Sequence, residues 1–417
     1  MTELPDGWTW VRLRDLGTWY GGGTPSKHVS EYWVSGTVPW LSPKDMGADR
    51  LAGTQDHIAQ SAIGATAVKL IPPGSVAVVV RSGILERLIP IALVPFATTL
   101  NQDMKAVVAN DSIDPRWIAW GLRAYETQLL RDTRKAGTTV ASLEIPRFLN
   151  FEIPVAPLDE QRRIVANLED HLAHLDAAGS RLSRASDQMD TLVTNILLDL
   201  IPDASDYPSD WTPATVGQAG NLELGRQRHP DWHTGPNTHP YLRVANVFED
   251  RFDLSDIMQM HWPEQTFERF RLKSGDILLN EGQSPQFLGR PAIYRGDPPD
   301  IAFTNSLLRF QANANVLPEF ALLVFRRHMR AGRFIGESRI TTNIAHLSAG
   351  RLKTVEFPIP PLAKQRSLVQ RADDLLAAAG QLSAQLTAIG KGQIALRRSL
   401  LSAAFSGYLA PNHREKA

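Results

Sequence analysis

The chain is written twice, and this limits its fold more than any other feature. "DGWTWVRLRDLG" (6–17) is matched by "SDWTPATVGQAG" (209–220), "VPWLSPKDM" (38–46) by "HPYLRVANV" (239–247), and "IPPGSVAVVV" (71–80) by "RLKSGDILLN" (271–280). "TLNQDMKAVVA" (99–109) then faces "FTNSLLRFQA" (303–312), and "DPRWIAWGLRAYETQLL" (114–130) faces "LPEFALLVFRRHMRAGR" (317–333). The series closes with "GTTVASL" against "ITTNIAHL", and "IPVAPLDEQRRIV" against "PIPPLAKQRSLV". Each match is weak alone. Seven in one order, at offsets of 200 to 204 residues, mark an internal duplication.

Each half reads as a globular module followed by a long helix. The module has short β-rich runs separated by turn residues, and one amphipathic helix opening at Pro115 or Pro318. This is an α+β pattern, not alternating βαβ. The expected division is module 1 over 1–156, helix over 157–201, module 2 over 202–360 and helix over 361–407.

The helices, called rods below, carry apolar residues at alternating spacings of three and four. In rod 1 the line contains Val165, Leu168, Leu172, Leu175, Leu182 and Met189, interrupted by Gly179 and Ser186. In rod 2 it contains Leu375, Leu382, Leu386, Ile389 and Leu396, interrupted by Gln393. Such a narrow line is a coiled-coil seam, not the broad face of a surface helix. About 40 residues make a rod of roughly 60 Å, and neither rod can bury its seam alone. The expectation is an intramolecular antiparallel coiled coil with a pseudo-two-fold relation between the halves.

Pro157 and Pro361 suit helix entry, where a missing N–H costs nothing. Asp159 and Glu160 suit the positive end of the rod 1 dipole, but Ala363 and Lys364 replace them in rod 2. Gln161-Arg162 and Gln365-Arg366 are shared. They fit either a solvated first turn or a docking role.

Several kinds of chemistry lack their motifs. With no cysteine, the chain has no thiolate nucleophile or Cys-based zinc site, which fits a reducing cytoplasm. There is no G-x-x-x-x-G-K-[ST] phosphate loop, no Asn-Pro-Pro-aromatic tetrad of the amino-methyltransferases, and no H-E-x-x-H. Asp103-Met104-Lys105 supplies only half of a nuclease pattern, and His171 and His174 read as a solvated helix face. The start "MTELPDGWTW" shows no signal-peptide pattern, and the apolar runs at 76–80 and 88–97 are too short to span a bilayer. The expectation is a non-catalytic chain with no cofactor or metal of its own and no membrane partner. Net charge is zero, but 34 of the 44 basic residues are Arg. That bias fits either a GC-rich coding sequence or the bidentate reading of guanine and phosphate. "GGGTPSK" (21–27) fits either a turn or a backbone approach to phosphate through Thr24, Ser26 and Lys27.

Over residues 4–409 the chain resembles the specificity subunit (HsdS family) of type I restriction–modification enzymes. The resemblance rests on "LPDGWTWVRLRDLG", "GGGTPSK" with "TVPWLSPKDM", Thr-Thr followed by "IPVAPLDEQRRIV", and "FPIPPLAKQRSLV" with "LRRSLLSAAFSG". Module 2 departs from it, with "ELGRQRHPDW" where module 1 has the glycine run. The resemblance implies two target-recognition domains, each reading one half of a double-stranded DNA word. It also implies helices that fix the gap and hold two methyltransferase subunits, to which restriction–translocase subunits are added. S-adenosylmethionine would belong to the methyltransferase, and ATP and Mg to the nuclease.

Matched frameworks with divergent connecting segments are what two readers of different words require. "RSGILERLIP" (81–90) stands where module 2 has "EGQSPQFLGRP" (281–291). Gln and Asn suit adenine and Arg suits guanine, so Arg226, Arg228, Asn280, Gln283 and Gln286 are the base-reading candidates. Lys44, Arg81, Arg134, Lys135, Thr138, Thr139, Arg243, Arg339, Thr341 and Thr342 are the backbone-contact candidates. A protein-binding scaffold with a helical spacer and no DNA contact is the competing reading. Salt-dependent, sequence-selective DNA binding separates the two.

Overall fold

A computed structural model describes residues 4–135, 140–233, 235–341 and 344–407. The chain forms two compact units. The first holds Met1–Arg181 with Ile389–Ala417, the second Leu182–Ala388. Rod 1 is one helix, Leu158–Leu200, and rod 2 is another, Leu362–Phe405. Each unit therefore contains one module and a part of both rods.

The duplication holds in the main sheets of the two modules. The first module has an antiparallel sheet in the order Gly17–Gly21, Met104–Ala109, Ser75–Val79, Ile91–Val94. The second has Gly220–Leu224, Leu307–Ala312, Ile277–Asn280, Pro291–Ile293 in the same order and sense. A three-stranded mixed sheet also recurs. It is built around Val38–Leu41 in one module and Thr238–Leu242 in the other. Thr9–Arg12 pairs with Glu152–Val155 just before rod 1, as Thr212–Thr215 pairs with Glu356–Ile359 just before rod 2.

One helix packs on each sheet, Pro115–Ala124 or Pro318–Arg330. Proline at the first turn starts both, and the Asp114 carboxylate caps the first by accepting from Arg116 N–H. Ile118 and Leu122 are buried with Val76, Val78 and Val107, while Phe320 and Phe325 are buried with Ile277, Leu308 and Phe310.

Inside each unit the rods run antiparallel. In the first, Val165, Leu168 and Leu172 near the start of rod 1 are buried with Ala404 and Phe405 at the end of rod 2, beside Trp8, Trp117 and Trp120. In the second, Leu197 and Leu200 at the end of rod 1 join Leu368 and Ala372 at the start of rod 2. Leu175, Leu182, Met189 and Leu386 are half-buried.

The expected seam of rod 2 needs correction. Leu375, Leu382, Ile389 and Leu396 are 39%, 49%, 59% and 49% exposed. The more buried line runs through Leu368, Ala372, Leu376, Ala379, Leu386, Gln393, Arg397, Leu400 and Ala404. Two lines one residue apart compete here, and the more apolar one faces out. Gln393 and Arg397 face in because rod 1 gives them partners. Gln393 Nε2 donates to the Leu175 carbonyl, and Arg397 pairs with Asp176 at 2.7 Å. Gly179 makes the approach possible, since a Cβ there would lie 2.7 Å from Gln393 Nε2.

His328 is buried in the last turn of the second module helix. Its Nε2 donates to the Glu356 carbonyl at 2.9 Å, and burial pushes its pKa down to about 4 against the pull of Glu356. The unfolded imidazole protonates near pH 6.5, the folded one only near pH 4. Its stabilising contribution is therefore complete above pH 6.5 and is lost as pH falls through that window. Urea unfolding of His328→Gln should show a smaller loss between pH 7 and pH 5 than wild type, by on the order of 1–2 kcal/mol. Equal losses would mean other groups carry the acid sensitivity.

Candidate functional site

In both units a subset of the polar candidates collects at one topological place, beyond the end of the central strand. In the first unit, Arg81 follows Ser75–Val79 and bridges to Ser142, while Arg134 bridges to Leu143. Lys135 N–H donates to the Ser142 carbonyl at 2.8 Å. Arg81, Arg134 and Lys135 therefore lie on adjoining backbone, all exposed. Arg81 pairs with Asp103 at 2.9 Å, Gln102 donates to Asp103 at 3.1 Å, and the Thr24 hydroxyl donates to Gln102. The result is a continuous polar rim from Thr24 to Lys135. Sequence reasoning missed Gln102 within it, because only the fold brings 24, 81 and 102 together. Asp103, half of the nuclease pattern, serves as the carboxylate partner of Arg81. Among the described residues no three His, Asp or Glu side chains cluster as a metal site would require.

In the second unit the corresponding sheet is regular. Gly282–Gln283 pairs with Ile344–His346, which pairs with Arg339–Thr341. Gln283 thus stands two strands from the backbone of Arg339 and Thr341. Its Oε1 accepts from Ser284 N–H at 3.0 Å. Gln286 and Arg228 are exposed. Thr138, Thr139 and Thr342 lie outside the described residues.

Other candidates have structural employment. Arg226 is held between Trp232 and Trp262, 4.0 and 4.8 Å from their ring centres, and donates to the His261 carbonyl at 2.8 Å. Burial holds its pKa below the usual arginine value. Arg243 pairs with Asp256, and Lys44 with Asp56 at 2.8 Å. Asn280 is fully buried, and its side-chain amide meets no hydrogen-bond partner among the described residues.

The glycine run has a packing reason. A Cβ on Gly22 would lie 1.7 Å from the Asn101 carbonyl oxygen, and one on Gly225 would lie 2.3 Å from that of Thr304. The two positions correspond, so "ELGRQRHPDW" keeps the glycine that the crossing backbone needs. Ser26 and Lys27 follow on an exposed turn, with Trp33 Nε1 donating to the Ser26 carbonyl at 3.2 Å.

The shared glutamines are neither solvated nor free to dock. Gln161 and Gln365 are both fully buried at the start of their rods. Each fastens its rod to its own module.

A family profile described as the type I restriction modification DNA specificity domain matches residues 5–180. The EcoR124I/EcoR124II specificity subunit of Escherichia coli is 43% identical over 160 residues, which are 38% of this chain and 40% of that subunit. The EcoKI specificity subunit of Escherichia coli K12 is 23% identical over 288 residues, 67% of this chain and 62% of that one. The chain thus spans less than two thirds of the length of either relative. A chain solved in work on complex assembly and conformational transition of the type I R-M system superposes with a TM-score of 0.78 at 19% identity, covering 98% of this chain and 100% of that one. The HsdS subunit of Thermoanaerobacter tengcongensis superposes at 0.55 with 20% identity, covering 98% and 99%. Both likenesses concern the fold.

Proposed function

We propose that the chain is a specificity subunit of a type I restriction–modification system, as the match of residues 5–180 to that family's DNA specificity domain supports, and that it is a non-catalytic reader of a two-part word in double-stranded DNA. Module 1 (1–156) reads one half-site and module 2 (202–360) the other, while the helical regions at 157–201 and 361–407 space them. The observation that carries this reading is one topology used twice with different side chains at the same rim. Arg81, Arg134 and Lys135 stand there in one unit, and Gln283 with Gln286 in the other. Cations at a rim position the phosphate backbone, and amides suit adenine edges.

The rods also serve as docking surfaces for two methyltransferase subunits. Each unit's share of rod 2 carries two exposed apolar residues in heptad spacing, Leu375 with Leu382, and Ile389 with Leu396. S-adenosylmethionine enters with the methyltransferase. ATP and Mg enter with restriction–translocase subunits. The setting is the cytoplasm, where these substrates and DNA meet. Among the described residues no helix is long and apolar enough to cross a membrane.

The test is methylome sequencing of a host carrying the chain with its methyltransferase, before and after residues 202–350 are replaced by the equivalent module of a relative. One half of the methylated word should change while the other persists. A swap that altered both halves, or neither, would refute two independent readers. Binding by a purified complex that was insensitive to salt and sequence would favour the scaffold reading.

A further inference from the structure

The amide of Gln161 uses its acceptor and both donors. Oε1 accepts from Asp114 N–H at 2.9 Å, and Nε2 donates to the carbonyls of Ser112 at 3.1 Å and Ala156 at 2.7 Å. Gln365 repeats the set on Leu317 N–H, Asn315 and Pro360, each at 2.8 Å. In each unit one side chain therefore ties the first turn of a rod to the loop that opens the module helix, and to the strand end that enters the rod.

A second strut stands further along. Asp49 accepts from Arg123 of the module helix at 2.7 Å and from Arg397 of rod 2 at 3.4 Å. In the other unit Glu249 accepts from Arg326 and Arg330, and Arg330 also reaches Asp190 of rod 1 at 3.3 Å. Burial alone would raise the Glu249 carboxyl, but hydrogen bonds and charge from the two arginines hold it below the usual range, so it stays ionised. Two separated attachments fix an angle as well as a position.

We infer that Gln161 and Gln365 are positioning residues that set the tilt of each module on its rod, and through it the number of base pairs between the half-sites. This rests on the two-reader function proposed above. The lever is sensitive. A tilt of about 10° moves a point about 20 Å from the joint by roughly 3.5 Å, which is the rise of one base pair. Both glutamines are fully buried, so the half-words themselves are left alone.

The experiment is methylome sequencing of the complete complex carrying Q161M or Q365M. Methionine keeps the volume and removes the amide. Both half-words should persist, and sites with a gap one base pair longer or shorter should be modified about tenfold more than by wild type, the scale of a lost buried hydrogen bond. A strict gap with a uniform fall in modification would make the glutamines merely stabilising and overturn the inference, as would an unchanged pattern. If either variant fails to accumulate as folded chain, D49N decides on the same readout, because that carboxylate is 44% exposed and its loss spares the core. A strict gap in D49N would then overturn the inference. A wild-type complex that methylated no two-part word would defeat the proposed function itself, and this inference with it.

Discussion

Leu172→Asp should destabilise the first unit by about 3–5 kcal/mol, whereas Leu382→Asp should cost less than about 1 kcal/mol. Both leucines stand on the apolar line read from the sequence, so the sequence alone gives them equal weight. Leu172 is 3% exposed and packs among Trp117, Leu168 and Phe405. A carboxylate there loses the leucine's burial and meets no cation in the cluster. It must either protonate or drag water in. Leu382 is 49% exposed, so its aspartate stays hydrated and costs little beyond a lower helix propensity. Urea unfolding of the two variants beside wild type is the measurement. Comparable losses would restore Leu382 to the seam and contradict the observed register.

That contrast shows how far the sequence carries. The duplication was legible because its offset is nearly constant, and the rods because their three-four apolar spacing persists past the interruptions at Gly179, Ser186 and Gln393. The register of rod 2 was not legible. Leu375, Leu382, Ile389 and Leu396 are more apolar than the residues that turn inward, and Gln393 and Arg397 earn their inward place only through Leu175 and Asp176 on the other rod. A period fixes which residues share a line, and it does not say which of two adjacent lines meets the partner. The glutamines were visible as a shared pair with no assignable role, because a side chain that bonds to backbone 47 to 50 residues away leaves no local trace. At the candidate rim, residue types were legible and juxtaposition was not. Arg226 looked like a free guanine reader until Trp232 and Trp262 closed on it, and Gln102 gained interest only beside Thr24 and Asp103.

Arg309→Met should destabilise the second unit by about 3–5 kcal/mol, although it replaces a charge with an apolar side chain in a core. Arg309 is 5% exposed on the strand Leu307–Ala312, where module 1 has Ala106. Its guanidinium reaches Glu223 at 2.5 Å and Asp276 at 3.6 Å, and donates to the carbonyls of Arg269 at 3.0 Å and Arg271 at 3.2 Å. Both carboxylates are themselves largely hidden, with side chains 17% and 5% exposed. Asp276 keeps other partners, since Gln311 donates to it at 2.8 Å and Lys273 N–H at 3.0 Å. Among the described residues Glu223 keeps only Arg269, at 2.7 Å from a side chain that is mostly in solvent. Removing Arg309 therefore leaves two largely hidden acids short of a counter-charge and takes from two carbonyls the bonds it donates, and the extra apolar burial of methionine is the smaller term. The stranded carboxylates fix where rescue should come from. Adding Glu223→Gln to the Arg309→Met background removes one stranded charge and should recover on the order of 1–2 kcal/mol. In the wild-type background the same Glu223→Gln change should destabilise, because it deprives Arg309 of its nearest carboxylate. The sign reversal between the two backgrounds, read by urea unfolding, is the decisive outcome. A glutamine that destabilised both equally would show that Glu223 and Arg309 act independently.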